Sequence, residues 1–298
     1  MKIPNRFVIT AILLAVFGTP NRAFAQIDLS GVWAPIFHED QPERVPGPDI
    51  GDYAGLPIND AARLKADTWD ASLLTLPEHQ CKPHPSTYGF RGVGNLRITP
   101  DFDDATQRLV KINTQIQWME QKREIWMDGR PHPPEYIAHT WQGFSTGRWE
   151  GPVLVVRTTH LKVGWMRRNG LALSDRATME ERFIRHGDLL THVYMISDPV
   201  YLTEPLVESQ NFVLVSNVTP ATYQTWTVCV AQEEIAGRER GYVPHYLPGQ
   251  NPYLTEYTTK FHLPFEAPRA GAEAMYPEYQ SKLKQLLQAL PPAAAAAK

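Results

Sequence analysis

Between residues 92 and 265 the chain is cut into many short β-branched and aromatic runs by polar turns, and that spacing admits few folds. Arg108–Ile112, Ile116–Glu120, Arg123–Met127, Pro152–Leu161, Ala177–Arg185, Leu189–Ile196, Phe212–Val218, Tyr223–Val230 and Leu254–His262 each read as strands. Asn169-Gly170 is a hairpin signal, and His186-Gly187-Asp188 reads as a tight turn. Strands this short and this frequent close into a barrel or stack as a sandwich. The expected class is therefore mainly β.

The flanks read differently. Asp28–Trp33 opens residues 26–91 as a short strand, after which Pro35, Pro42, Pro46, Pro48 and Pro57 suppress regular structure. Asn59 or Asp60 caps an expected helix from about Ala61 to Trp69, and the whole segment reads as a loop-and-helix wrap. The barrel is expected over 92–265. Residues 266–298 hold a helix, Pro277–Leu290, that gathers Leu283, Leu286, Leu287 and Leu290 on one face to pack on the barrel. The tail Ala293–Ala297 reads as disordered.

Residues 1–25 have the build of a cleavable secretory signal: Lys2 and Arg6, an apolar run from Phe7 to Phe17, and Ala23-Phe24-Ala25 at the exit. The run falls short of the roughly 20 residues a spanning helix needs. The alternative is an uncleaved anchor. A mature chain starting at Gln26 is expected in the periplasm or secreted, with no stable membrane insertion. Cleavage removes Lys2, Arg6 and Arg22 and no acid, so the formal net charge moves from −3 to −6. No basic stripe is visible, which argues against nucleic acid. The two cysteines, Cys81 and Cys229, both lie in the exported part, where an even count favours one disulfide over two buried thiols.

Several motifs in order carry a resemblance: Asp28-Leu29-Ser30-Gly31-Val32-Trp33, Asp128-Gly129-Arg130-Pro131-His132-Pro133, Gly143-x-Ser145-x-Gly147-Arg148-Trp149-Glu150-Gly151, Glu181-Arg182-Phe183 and Asp198-Pro199. The chain resembles a widespread family of exported bacterial proteins with no settled activity, over roughly residues 28–235. The resemblance implies a β-rich, lipocalin-like barrel, and Gly31-x-Trp33 resembles the G-x-W whose Trp plugs the closed end of such barrels. The family pattern has His, Asp and Thr where this chain has Phe144, Pro152 and Val153, and often Asp-Thr where it has Arg157-Thr158. The fold read from residues and resemblance together is a single lipocalin-like antiparallel β-barrel with an N-terminal wrap and a C-terminal helix.

The densest polar stretch runs from Glu120 to Arg182. Strand alternation puts Met179, Glu181 and Phe183 on one face and Glu180, Arg182 and Ile184 on the other, so Glu181 or Arg182 points inside a closed barrel. A charge there needs a partner, and Asp128, Arg130 and Glu150 are candidates. His132 or His139, oriented by Asp128 or Glu150, fits a proton carrier, with Arg130 or Arg182 for an anion. Trp126, Trp141, Trp149 and Trp165, with Phe144 and Ser145 nearby, would wall a hydrophobic or aromatic ligand, or simply pack. Gly143-x-Ser145-x-Gly147 leads into a strand, whereas a hydrolase nucleophile elbow leads into a helix. No zinc spacing, dinucleotide fingerprint or phosphate loop is present in the sequence, so no metal and no cofactor are expected, although histidines and acids distant in sequence can converge.

Two function classes follow. The first is an exported, cofactor-independent acid–base enzyme of lyase, isomerase or hydratase type acting on a small hydrophobic or aromatic molecule. The second is a non-catalytic barrel that binds such a ligand. Convergent ionisable groups in a cavity favour the first and a wholly apolar cavity the second.

Overall fold

The computed structural model describes residues 27–36, 48–91, 94–118, 121–223, 237–239 and 241–291. The segment 1–25 and the start at Gln26, Cys229 with its pairing to Cys81, most of Tyr223–Val230, and the tail Ala293–Ala297 lie outside these residues.

The described chain is mainly β. Its strands are β1 (Gly31–Pro35), β2 (Leu96–Phe102), β3 (Leu109–Ile116), β4 (Gln121–Trp126), β5 (Phe144–Glu150), β6 (Val153–Thr159), β7 (Gly164–Trp165), β8 (Ala172–Leu173), β9 (Thr178–His186), β10 (Leu189–Ser197) and β11 (Leu206–Leu214). Nine of them close a barrel in the ring order β1-β11-β10-β9-β6-β5-β4-β3-β2, and β7 with β8 forms a separate hairpin. An odd ring cannot alternate direction all the way round, so one neighbouring pair must run parallel. That pair is β4 and β5, with Ile125 opposite Ser145, where the sequence led us to expect antiparallel pairing throughout. A parallel pair needs a crossover. Here the crossover is 127–143, which climbs the outer wall from the end of β4 to the start of β5.

Two glycines of the crossover motif answer to this geometry. A Cβ on Gly147 would sit 2.5 Å from Met127 Sδ and 2.9 Å from Ile125 Cγ2, on the strand that runs parallel beside it. Gly143, at φ +67°, would meet the Thr159 carbonyl at 2.5 Å. The two glycines thus answer to different neighbours of β5, Gly143 to the antiparallel β6 and Gly147 to the parallel β4 side.

The barrel interior is layered because inward residues step by two along each strand. Near the end marked by Trp33, the layer is apolar: Ile112, Ile125, Leu154, Phe183, Leu190 and Phe212 pack with Trp33, which is fully buried and donates from Nε1 to the Leu29 carbonyl at 3.0 Å. Further along the same strands, by two residues on each and by four on β6, lie Thr114, Arg123, Thr158, Glu181, His192 and Gln210, all buried. Beyond them Met179, Tyr194 and Ile196 join a second apolar cluster with Tyr53, Leu56, Ile58 and Leu171 from outside the barrel strands. A polar belt therefore lies between two apolar plugs.

The expected first helix is Asp60–Asp67, capped by the Asn59 side chain on Ala62 N at 3.0 Å. Asp198 of the Asp198-Pro199 motif is a buried turn anchor, accepting from Ser174 N and Oγ, both at 2.7 Å, and from Val200 N at 2.9 Å. Leu254–His262, expected as a strand, is instead a 3-10 turn, Pro252–Thr255, running into a helix, Glu256–Phe261. Asn251 accepts from Tyr253 N at 3.0 Å with Pro252 at the first helical position, a start signal that outweighs the β-branched run. The helix Pro277–Ala289 forms but buries none of its residues, so its leucine face is not the barrel contact expected of it.

Candidate functional site

The polar belt is built around Arg123. Its Nε donates to Ser145 Oγ at 2.9 Å and its Nη2 to Thr158 Oγ1 at 2.6 Å. Its Nη1 donates to Glu181 Oε1 at 2.9 Å, and Nη2 also donates to Glu181 Oε2, giving a bidentate pair. The Ser145 and Thr158 hydroxyls are 2.9 Å apart. Arg123 and Glu181 have side-chain exposures of 2% and 0%. Burial by itself would raise the Glu181 carboxyl, but Arg123 outweighs it, with help from His192, and holds the group well below the usual carboxylate range.

His192 completes the cluster. Its Nε2 lies 2.9 Å from Glu181 Oε1. An ionised carboxylate only accepts, so Nε2 carries the proton and donates. Burial lowers the His192 pKa against the opposing pull of Glu181, and Arg123 and Arg91 add to the lowering, so the ring is neutral at neutral pH. Neutral imidazole protonated at Nε2 leaves a lone pair on Nδ1. That atom is buried and has no hydrogen-bond partner among the described residues. Gln210, opposite His192 across β10 and β11, has neither side-chain polar atom paired, and Thr114 Oγ1 is likewise unpaired. The ring is held by stacking on Phe183 at 4.6 Å and Tyr194 at 5.1 Å, and by the edge of Phe90 at 4.9 Å.

Above the belt, the Tyr194 hydroxyl accepts from Arg91 Nε and donates to Glu208 Oε2, both at 2.6 Å. Burial and Glu208 raise the Tyr194 phenol well above its ordinary range. Arg167, from the β7–β8 hairpin, lies in the field of Glu208, Asp52 and Arg91 and has its pKa lowered by burial. Arg167 also lines a cavity of about 160 Å³ whose walls include Trp69, Trp118, Trp141, Trp165 and Tyr88. Within it, burial and then Arg168 push the His84 imidazole down to about 4, so that ring is neutral too.

The loop expected to carry the chemistry lies on the outer wall, and the structure divides its residues. Asp128 and Arg130 pair with each other at 2.5 Å, with the Arg130 guanidinium 3.5 Å from the Trp126 ring. Glu150 pairs with Arg148 at 2.5 Å, on the exposed end of β5. Arg182 points outward onto Glu180 at 2.9 Å. None of Asp128, Arg130 or Glu150 partners Glu181; the partner is Arg123, because the crossover carries the first two outside and β5 ends beyond the belt. His132, His139 and His160 do meet, in an open groove of about 570 Å³ with Glu135, Arg157 and Asp175.

In that groove the hydrogen bonds fix a direction. His160 Nε2 donates to the Pro134 carbonyl at 3.0 Å, and in that tautomer Nδ1 accepts from Thr159 at 2.7 Å. Thr159 then accepts from His132 Nδ1 at 2.7 Å, and His132 Nε2 accepts from Thr146 at 2.8 Å. Burial, followed by Arg157 and His160, lowers the His132 pKa. Both nitrogens of His132 and of His160 are thereby occupied. His139 uses Nδ1 on the Leu161 carbonyl at 2.9 Å.

The expected ligand wall is scattered. Phe144 packs edge-on against His132 at 5.2 Å, Trp149 joins the apolar end of the barrel, and Ser145 is taken up by Arg123. Only Trp141 and Trp165 line one cavity. Sequence reading missed Arg123, because Lys122, Arg123 and Glu124 put charge on both faces of β4, and it gave His192 no catalytic role. The signal for His192 was its place among Leu190, Tyr194 and Ile196, the apolar parity of β10. Comparison of the chain with protein-family models, with curated proteins and with solved structures finds no match. Among the described residues, no group of three or more His, Cys, Asp and Glu is placed to hold a metal, and no helix is long and apolar enough to cross a membrane.

Proposed function

We propose that this protein is an exported, cofactor-independent acid–base enzyme of a lipocalin-like barrel, acting on a small hydrophobic or aromatic molecule, with His192 as general base and Glu181 as its orienting carboxylate. The observation that carries the reading is the unpaired Nδ1 of a buried histidine whose Nε2 is held by a carboxylate. That is how a proton carrier is positioned: one nitrogen anchored, the other free and basic. Replacing a buried ionic cluster with apolar residues is often neutral or stabilising, so stability alone is weak reason to keep one. Perturbed ionisable groups gathered in one place mark functional sites. In the proposed step Nδ1 takes a proton from a substrate C–H, and the electron pair moves into an adjacent unsaturated group. The imidazolium, stabilised by Glu181, then returns the proton to another carbon or to a leaving hydroxyl that departs as water. Gln210 would hydrogen-bond the substrate atom that gains charge.

The export reading rests on the sequence alone, and the lipocalin-like reading on the sequence together with the burial of Trp33 beneath Arg185, whose guanidinium lies 5.2 Å from its ring. The Cys81–Cys229 disulfide is proposed on the same footing.

The test is a panel of small cyclic and aromatic carbonyl and hydroxyacid compounds in D2O, followed by NMR for deuterium uptake or loss of water. His192→Asn should lower the rate about 10²–10⁴-fold, the usual contribution of a proton carrier. His132→Ala and His139→Ala should stay within about threefold. The competing binder reading is favoured by how fully Arg123 is satisfied by Ser145, Thr158 and Glu181, as in a structural core. Tight binding without exchange on any compound, or exchange that survives His192→Asn, would overturn the enzyme reading.

A further inference from the structure

The described walls of the aromatic cavity above the barrel include cations and no acid. The whole sequence carries net charge −3, yet Lys82, Arg167 and Arg168 all line this cavity, and none of its described lining residues is Asp or Glu. Arg168 is half-buried and has no ion-pair partner among the described residues. Lys82 Nζ lies 4.7 Å from the Trp141 ring centroid, and Lys162 Nζ lies 5.2 Å from the same ring. Trp69 and Trp165 meet edge to face at 4.7 Å, which fixes both rings as walls. Large flat side chains favour a flat apolar guest, and a guanidinium in a partly dry site favours a carboxylate.

We propose that this cavity is a binding site for a planar aromatic acid, its ring system against the tryptophans and its carboxylate on Arg168 with Lys82. The assignment goes beyond the acid–base reading and does not rest on it, because His192 is not among the described residues that line this cavity. The connection between the two sites is physical. Arg167 lines the cavity and lies in the field of Glu208 and Tyr194, and Tyr194 stacks on His192. A molecule held here is therefore next to the column of groups that leads into the belt.

The experiment compares 2-naphthoate with the neutral 2-naphthylmethanol on the full mature protein by titration calorimetry at low salt. The acid should bind at least about tenfold more tightly, the size of one charge-assisted hydrogen bond. The advantage should shrink to within about threefold in Arg168→Gln, fall in Lys82→Gln, and weaken with added salt. Arg148→Gln, at the exposed end of β5, should leave it unchanged, and circular dichroism should show every variant folded. Equal affinity for acid and alcohol, or an undiminished advantage in folded Arg168→Gln, overturns the proposal. His192→Asn should bind the acid as tightly as the parent, so a failure of the acid–base reading leaves this result intact, and the converse.

Discussion

Inside the barrel, Arg123, Glu181 and His192 come from β4, β9 and β10, are almost wholly buried, and bond to one another in a closed set. On the outer wall, Asp128 and Arg130 pair across two residues of one turn, and Arg148 and Glu150 pair across two residues of one strand end. The two regions draw on the same residue types. Outside, water solvates the charges, so a pair forms locally and is worth little. Inside, no water compensates a charge, so partners must be recruited from distant strands. Density of polar residues along a sequence therefore marks the first situation, and convergence in space the second.

The sharpest way to break this comparison is to orphan the inner pair. Arg123→Met leaves Glu181 buried without the partner that holds its pKa down, and denaturant unfolding should show a loss of about 3–5 kcal/mol. The double variant Arg123→Met, Glu181→Leu should regain most of that loss, since it removes both charges together. A single variant that costs no more than a surface change would mean that water reaches the belt.

The apolar end offers a comparable effect from a different cause. Trp33→Ala should cost about 3–5 kcal/mol through the cavity it leaves and the loss of packing under Arg185. A cost under about 1 kcal/mol would mean that Trp33 is not the plug of that end.

Proton linkage gives a smaller effect of defined sign. The folded pKa values of Glu181, His192 and His84 are all depressed. For each group the unfolded chain binds the proton more readily, so stability is complete above the unfolded pKa and falls as pH drops through the folded one. The histidine contributions should begin to fade below about pH 6.5, and the Glu181 contribution below about pH 4.3, the ordinary unfolded values. Melting temperature should fall steadily from pH 7 to pH 4, and less steeply in His192→Asn. A rise over that range would reverse the sign and the account with it.

The smallest effect belongs outside. Arg130→Gln removes an exposed partner of Asp128 that stacks on Trp126. Its melting temperature should match the parent within error. A clear drop would mean that the crossover is held by that pair.

These contrasts also explain what could be read in advance. The short strands, a cap at Asn59 or Asp60 and the hairpin turns were legible because each depends on residues next to one another, whereas the strands alone left barrel and sandwich both open. Alternation alone put one of Glu181 and Arg182 inside, and the structure shows that it is Glu181. Its partner was not legible, since Arg123 lies in a run charged on both faces and sequence spacing says nothing about which strand sits opposite across a barrel. The parallel β4–β5 pair was equally hidden: it follows from the number of strands in the ring, a property of the closed sheet. That pair lifts the histidine-bearing loop out of the interior, where His132 spends both ring nitrogens on threonine hydroxyls.

The central claim is that His192 stands in the belt with Nε2 protonated on Glu181 and Nδ1 bare. Nitrogen-15 NMR of the histidine rings reads this directly, with the His192 signals assigned by their loss in His192→Asn. The account predicts an Nε2-protonated neutral ring for His192 whose titration is displaced below pH 6.5. It also predicts a change in Nε2 chemical shift in Glu181→Gln, as the charged acceptor is lost. A proton on Nδ1 at neutral pH, or ordinary titration near pH 6.5, would contradict it.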